Sequence, residues 1–177
     1  MRIAIIFCCT LVANLLNAEQ RSYSFRWEGS AGYWLEGGMH FDTSDAFAGV
    51  IREWDVTCFE IKGYRGEQPL GRWALDDLTS DTAWRLHFDV DSGDFLVVGG
   101  GHEMPQAWNM RGDGSGCGPG GFGFNLGNIA QDVCVDDQVV VESQAASEKP
   151  FPATRDDAYD FPPDACYGPD LLSALQP

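Results

Sequence analysis

Apolar and polar residues alternate along most of this chain, and the clearest example lies at residues 83–101. From Trp84 onward, four apolar side chains alternate with charged or polar ones, which is typical of a strand with one buried and one exposed face. An aspartate-rich turn follows, in which Gly93 can adopt a positive φ. The continuous apolar run at 95–98 is typical of a strand covered on both faces. The segment therefore predicts a mid-chain β-hairpin whose second strand is central in a sheet.

Similar patterns predict further strands, with turn residues between them. Within residues 50–63 the apolar side chains shift from even-numbered to odd-numbered positions, which predicts a bulge near Cys58. Gly37 and Gly38 interrupt another run and predict a bend or bulge there. Short strands separated by frequent turns favour an all-β fold, an antiparallel β-sandwich or jelly roll. Besides the hairpin, the predicted strands lie at 22–28, 33–42, 50–63, 72–78 and 133–141.

The chain is strongly acidic, with a formal net charge of −16 over 177 residues. Such a charge repels nucleic acids and anionic lipid surfaces, which argues against both as partners. It favours cationic ligands or metal ions in a general way.

The N-terminus resembles a secretory signal. Arg2 precedes an apolar run at 3–16 that is too short to span a bilayer, and Ala18 supplies the small residue expected before a cleavage site. The alternative is an N-terminal helix of the mature protein. We expect a signal peptide at 1–18, a β-sandwich domain at 19–144 and a proline-rich acidic tail at 145–177. The protein is then secreted or periplasmic and is not an integral membrane protein.

Four cysteines remain after the signal, and an even number in an exported protein predicts two disulfides. Three pairings are possible. We favour Cys117–Cys134, which closes a glycine-rich loop, and hence Cys58–Cys166, which ties the tail to the body. No spacing typical of a zinc site supports the competing interpretation. Phe161 and Tyr167 are expected to pack near the tail's disulfide, with the rest of the tail extended on the surface.

Two patterns suggest metal binding. Asp89, Asp91 and Asp94 resemble an oxygen-ligand calcium loop, although the chain lacks the later ligands of an EF-hand and a turn rich in aspartate needs no metal. His40 and His87 each begin a His-Phe-Asp tripeptide, so neighbouring strands would let two imidazoles and two carboxylates converge. A polar strand face is the alternative in that case. Apart from possible calcium, no cofactor is expected.

Two tryptophans are candidates for ligand binding. Trp34 falls on a polar strand face and Trp108 in a predicted loop, so both could present rings to a sugar beside carboxylates. The alternative is that both rings complete an apolar layer. No GxSxG or HExxH motif occurs, and the cysteines are expected to be oxidised, so no catalytic residue is assigned.

Residues 22–143 contain the short motifs WALDDL, FDVDSGDFLVVGG, QAWN, GFGF and QDVCVDD. These motifs resemble those of uncharacterised secreted bacterial β-rich proteins, many of which carry a PEP-CTERM sorting tail. The resemblance implies a secreted β-rich domain and no particular activity. The Pro-Glu-Pro sorting tail itself is absent from this sequence, so sorting to the surface by that route is not expected.

Three functions are compatible with these observations. The first is a secreted, non-catalytic binding protein of the cell envelope or extracellular space, whose partner is unknown; a polysaccharide or a cell-envelope component is the candidate. The second is a polysaccharide hydrolase or lyase that uses carboxylates in a groove. The third is a calcium-dependent adhesion module.

We predict that the exported protein begins near Glu19 and contains no free thiol, because the signal is removed and all four remaining cysteines pair. Intact-mass spectrometry of secreted protein, with and without thiol alkylation, measures both. Retention of Met1, or alkylation of a cysteine without prior reduction, would contradict this prediction.

Overall fold

Strands dominate the computed structural model, which describes residues 19–97, 106–127 and 129–167. The expected signal peptide with its Ala18 cleavage site, and the last ten residues, lie outside the described residues. No α-helix occurs in the described ranges. The short 3₁₀ helices there are Thr43–Asp45, Glu53–Asp55, Leu75–Asp77, Val141–Ser143 and Pro163–Ala165.

Eight strands form a larger antiparallel sheet, whose central strands come from the two ends of the described chain. In spatial order they are β3 (Val50–Arg52), β7 (His87–Asp89), β8 (Asp94–Phe95), β14 (Phe151–Arg155), β1 (Gln20–Glu28), β2 (Tyr33–Asp42), β4 (Val56–Arg65) and β5 (Gln68–Ala74).

A smaller antiparallel sheet lies against the inner face of the larger one. Its order is β12 (Gln138–Val139), β11 (Ala130–Val135), β10 (Phe122–Leu126), β9 (Gln106–Met110) and β6 (Ala83–Arg85), and β13 (Ala145–Ala146) also pairs with β11. The predicted all-β, antiparallel, sandwich-like fold is confirmed.

The larger sheet is strongly curled. Phe41 of β2 and Phe88 of β7 are separated by three intervening strands, yet their ring centroids are 5.9 Å apart. Adjacent strands lie about 4.8 Å apart, so a flat sheet would hold these rings about 19 Å apart. Both rings are fully buried, as the alternation predicts, but His87, which the same alternation places on an exposed face, is buried as well.

The core is aromatic throughout, and Trp108 lies at its centre. Its indole contacts five rings from both sheets and has no exposed surface. The contacting rings are Phe25, Phe59, Phe95, Phe124 and Phe151.

The predicted first strand of the mid-chain hairpin is in fact two strands on different sheets. β6 pairs with β9 of the smaller sheet, whereas β7 pairs with β3 and β8 of the larger one. The chain crosses between sheets at Leu86, which is fully buried. The turn with Gly93 at positive φ is confirmed, but β8 is only two residues long. Val98–Gly101 lies outside the described residues.

Side chains satisfy the backbone at this crossover. The N–H of Leu86 donates to Glu53 Oε2 at 3.0 Å, and the N–H of His87 donates to Gln106 Oε1 at 2.6 Å. Gln106 Nε2 in turn donates to the carbonyl of Leu96. A buried peptide group without a partner costs about 1–3 kcal/mol, so these contacts make the crossover possible.

The bulge predicted near Cys58 is confirmed, since His40 pairs with Cys58 but Phe41 pairs with Val56, which leaves Thr57 unpaired. Gly37 and Gly38 produce no bulge, because both pair regularly with β1 and β4. They are instead sites of close approach, where a side chain would collide with neighbouring rings.

The expected domain boundary at residue 144 is wrong. Phe151–Arg155 forms β14 in the middle of the larger sheet, and Phe151 is 1% exposed within the core. The proline content predicted a surface tail. Pro150 and Pro152 flank Phe151, but the side chain of Phe151 faces inward and packs in the core. The domain thus includes the strands after residue 144, and residues 156–167 run over the surface.

Both predicted disulfides, Cys58–Cys166 and Cys117–Cys134, are present. They indicate an oxidising compartment, extracellular or periplasmic. Among the described residues, none of the helices is long and apolar enough to cross a membrane.

We predict that Phe151→Ala destabilises the protein by about 3–5 kcal/mol, because it leaves a cavity between the two sheets. The matched control is Phe47→Ala, which removes a ring that is 81% exposed and should change stability by less than about 0.5 kcal/mol. Urea unfolding measures both free energies. Similar values for the two variants would show that β14 is not part of the folding unit.

Candidate functional site

A groove with a volume of about 630 Å³ runs across the outer face of the larger sheet. Alternate residues of each strand point outward, so β1, β2, β4 and β14 supply its floor with polar side chains. We call it the outer groove. Its lining residues are Ser24, Phe25, Arg26, Glu36, Gly37, Lys62, Pro152, Thr154, Tyr159 and Asp160.

The segment 156–167, which we call the C-terminal strap, supplies one wall of the outer groove. The disulfide Cys58–Cys166 fixes its far end to β4. Asp164 accepts two hydrogen bonds from the Arg72 guanidinium, at 2.6 and 2.8 Å. Arg72 thereby keeps the pKa of the Asp164 carboxyl below its usual range.

A buried carboxylate anchors the middle of the strap. Glu60 has no exposed surface, and its oxygens accept from Lys62 Nζ at 3.1 Å, Arg72 Nε at 2.9 Å and the Tyr159 hydroxyl at 3.0 Å. Two cations and a phenol therefore compensate its burial. Burial and the nearby Glu60 charge raise the pKa of Tyr159, so the phenol remains a neutral donor. Glu60 organises the site and does not face a ligand.

Gly38 creates the space that Tyr159 occupies. It lies on the outer face of β2, paired with Ser24 and Glu60, and a Cβ at this position would sit 2.5 Å from a carbon of the Tyr159 ring. The glycine therefore allows the strap to lie directly on the strand. Phe161 continues the contact, with its ring 4.6 Å from that of Tyr159, and Tyr167 donates its N–H to Thr57. Their predicted packing near the disulfide is confirmed.

Trp34 lies beside the groove, but both faces of its ring are covered. Tyr64 stacks on one face with centroids 4.1 Å apart, and the Arg26 guanidinium carbon lies 3.7 Å from the ring centroid. The indole N–H donates to the carbonyl of Gly66. The expectation of a free stacking surface is therefore wrong. Trp34 instead holds Arg26 and Tyr64 in place at the rim, and Tyr64 reaches Glu36 at 3.4 Å.

Trp108, the other predicted ligand-binding residue, belongs to the core and not to a loop. It lies within β9 and is fully buried. The glycine-rich surroundings suggested an irregular segment, but QAWN forms a strand covered on both faces. Trp108 cannot contact a ligand in this structure.

The predicted metal ligands form no metal site in the structure. Asp89 Oδ1 caps the hairpin turn by accepting from the N–H groups of Asp91 and Ser92, both at 2.9 Å, and Asp94 lies opposite Asp89 in β8. His40 and His87 precede the inward-facing Phe41 and Phe88 and therefore lie on the opposite, convex face of the curled sheet, where side chains three strands apart diverge. No group of three or more potential ligand side chains could hold a metal ion in the described ranges. Calcium binding stays a prediction.

Sequence reasoning missed most of the residues that line the groove. Glu60, Lys62 and Tyr64 alternate with apolar residues, which places them on one outward face, but alternation cannot show that the strap covers them. Tyr159 and Asp160 lie in a segment interpreted as an extended tail. The repeated glycines at 37 and 38 were the only local sign of a close approach.

We predict that Gly38→Ala destabilises the protein by about 1–3 kcal/mol, since the added methyl displaces the Tyr159 ring. Gly112→Ala is the control, because a Cβ there meets no atom within 4 Å. Thermal unfolding at equal protein concentration compares the two. An unchanged melting temperature for Gly38→Ala would show that the strap is not held against β2.

Comparison of the chain with models of protein families, with curated proteins and with solved structures finds no match. The resemblance to secreted bacterial proteins of the PEP-CTERM type therefore stays a prediction, and any function has to be inferred from the groove itself.

Proposed function

We propose that this protein is a secreted, non-catalytic binding protein whose outer groove takes a segment of a neutral polysaccharide. The observation that carries the proposal is the lining of the groove, which combines hydroxyls, carboxylates and cations on its floor and strap wall. A polysaccharide of the cell envelope or its surroundings fits the oxidising compartment that the disulfides indicate.

The groove offers both kinds of hydrogen-bonding partner that a sugar needs. Glu36 and Asp160 accept hydrogen bonds, Arg26 and Lys62 donate them, and the hydroxyl of Thr154 does both. Each sugar hydroxyl also donates and accepts, so one ring can satisfy several of these groups at once. The apolar surface of Tyr159 and Pro152 supports the carbon face of the ring.

Charge favours a neutral ligand. The two carboxylates and two cations of the groove give it a formal charge of zero, whereas the whole chain carries −16. A polyanion would be repelled by the surrounding field, and the groove contains no excess of cations to bind it. A polycation would be attracted to the surface in general but not to the groove in particular.

A polysaccharide hydrolase or lyase is the second candidate, and the positions of Glu36 and Asp160 favour it. Glu36 projects from β2 and Asp160 from the C-terminal strap, so the carboxylates occupy different walls of one groove. Carboxylates that flank a bound chain from two sides are the arrangement that glycoside hydrolysis requires.

The test is binding to a panel of neutral and anionic polysaccharides, with product analysis on the same samples. We expect neutral chains to be retained without cleavage and Glu36→Gln to weaken binding about tenfold or more, since a hydrogen bond to a charged group contributes about 1.5–3 kcal/mol. Glu67→Gln is the control, because Glu67 is exposed in a turn away from the groove.

Failure of every neutral polysaccharide to bind, or equal binding by Glu36→Gln and the unmodified protein, would overturn the proposal. Release of shortened products that stops in both Glu36→Gln and Asp160→Asn would instead establish the hydrolase or lyase.

A further inference from the structure

We infer that the outer groove continues beyond Arg26 into a second pocket, so that the protein binds a stretch of several sugars and distinguishes polysaccharide fragments by their length. The second pocket has a volume of about 270 Å³, and its lining includes Arg26 and Pro152, which also line the outer groove. We call it the groove extension. The inference rests on the function proposed above, because it concerns the same ligand.

The groove extension lies where β1 and β14 separate. Pairing between these two strands ends at Phe25 and Ala153. The next residue of β14 in this direction is Pro152, which has no N–H to donate to β1. Beyond this point β1 stays paired with β2, and β14 with β8, so a gap opens between the two strands. The proline therefore ends the ladder at the place where the outer groove meets its extension.

Buried side chains close the floor of the groove extension and fix its far wall. Trp27 and Phe151 lie beneath it in the core, with 2% and 1% of their surface exposed, so they support the pocket without offering a surface to a ligand. The indole N–H of Trp27 donates to Gln131 Oε1 at 2.7 Å, and Gln131 Nε2 donates to the carbonyl of Lys149 at 2.6 Å. This network holds Lys149 in place before a ligand binds, which lowers the entropic cost of binding.

The groups that a sugar can reach in the groove extension lie on its rim. Glu28 keeps 67% of its side-chain surface exposed and accepts a hydrogen bond from Arg26 Nε at 3.2 Å. The Lys149 ammonium donates to the Glu28 carbonyl and forms no ion pair in the described part of the chain, so its other N–H groups are available to sugar hydroxyls. Pro150 and Pro152 are exposed and offer apolar surface to a sugar ring.

Charges balance in the groove extension as they do in the outer groove. The extension adds one cation, Lys149, and one carboxylate, Glu28, to a groove whose formal charge is zero. A neutral chain can therefore cross both without meeting an excess of either charge. From Lys62 on β4 to Pro152 on β14 the path crosses three strand spacings of about 4.8 Å each, and it then continues along β1 to Glu28. Such a path is longer than a disaccharide.

Fragments of a neutral polysaccharide that binds in the panel, from the disaccharide to the hexasaccharide, test the length of the site. We expect the mature, disulfide-bonded protein to bind the hexasaccharide at least tenfold more tightly than the disaccharide, because added sugars reach new partners while the entropic cost of association arises only once. Calorimetry measures the affinities. In two-dimensional NMR, the hexasaccharide should shift the amide resonances of Glu28 and Lys149 as well as that of Thr154 in the outer groove.

Lys149→Met removes the ammonium of the groove extension and keeps an apolar stem of similar length. It should lower hexasaccharide affinity at least fivefold and thereby remove most of the difference from the disaccharide. Its melting temperature shows whether the contact with the Glu28 carbonyl is needed for stability. Glu28→Gln, at an exposed side chain, should lower the same affinity without changing that contact. Glu148→Gln is the control, because Glu148 is exposed and lines neither pocket.

Equal affinity for all fragment lengths would overturn the inference and leave polysaccharide binding in the outer groove intact. The same holds if the hexasaccharide leaves the Glu28 and Lys149 resonances unmoved, or if it binds Lys149→Met and Glu28→Gln as tightly as the unmodified protein. Failure of every neutral polysaccharide to bind would instead overturn the proposed function, and this inference with it.

Discussion

The fold depends on hydrogen-bonding the backbone where the chain leaves one sheet for the other inside the core. At Leu86 the backbone cannot continue either ladder, and water cannot reach it. The Gln106 amide accepts from His87 and donates to Leu96, so it takes the place of a missing strand neighbour. With this contact satisfied, β6 and β7 can lie on opposite sides of the aromatic core. Trp108 of β9 packs in that core against rings from both sheets.

On the outer face of the larger sheet, a buried charge is satisfied by neighbouring side chains in the same way. Glu60 is buried under the C-terminal strap, and it is tolerated because Lys62, Arg72 and Tyr159 surround it. Removing one partner of such a group leaves its buried charge uncompensated, which costs the full free energy of desolvation. The same contacts that stabilise Glu60 set the position of the strap and hence one wall of the outer groove. Stability and the shape of the candidate site therefore have a common origin.

Local patterns predicted the fold class well, because period-two alternation directly reports which strand face is buried. A shift of the apolar residues from even to odd positions predicted the bulge beside Cys58, because such a shift is visible within one strand. The even number of cysteines predicted both disulfides. Alternation could not reveal the crossover at Leu86, because the apolar pattern continues unbroken while the strand changes sheets. It could not assign β14 either, since a short strand flanked by prolines gains its stability from Phe151 reaching a distant core.

The candidate sites were harder to predict for a related reason. Exposure of Trp34 and Trp108 was inferred from parity and from neighbouring glycines, but what covers a ring is decided by residues far away in sequence. Arg26 and Tyr64 cover Trp34, and five rings from both sheets cover Trp108. Polar groups such as Tyr159 and Asp160 acquire a role only when the chain brings them to a groove. No local sequence pattern predicts which distant residues come together in this way.

The position of β14 has a consequence for how the chain folds once it reaches the oxidising compartment. This strand lies between β1 and β8, and Tyr23 pairs with Arg155 across most of the sequence. Until the last part of the chain emerges, β1 presents an open edge beside aromatic residues, and such edges readily pair with other chains. Sheets closed by long-range pairing also form slowly. Folding chains of this protein therefore pass through an aggregation-prone interval that ends when β14 pairs with β1.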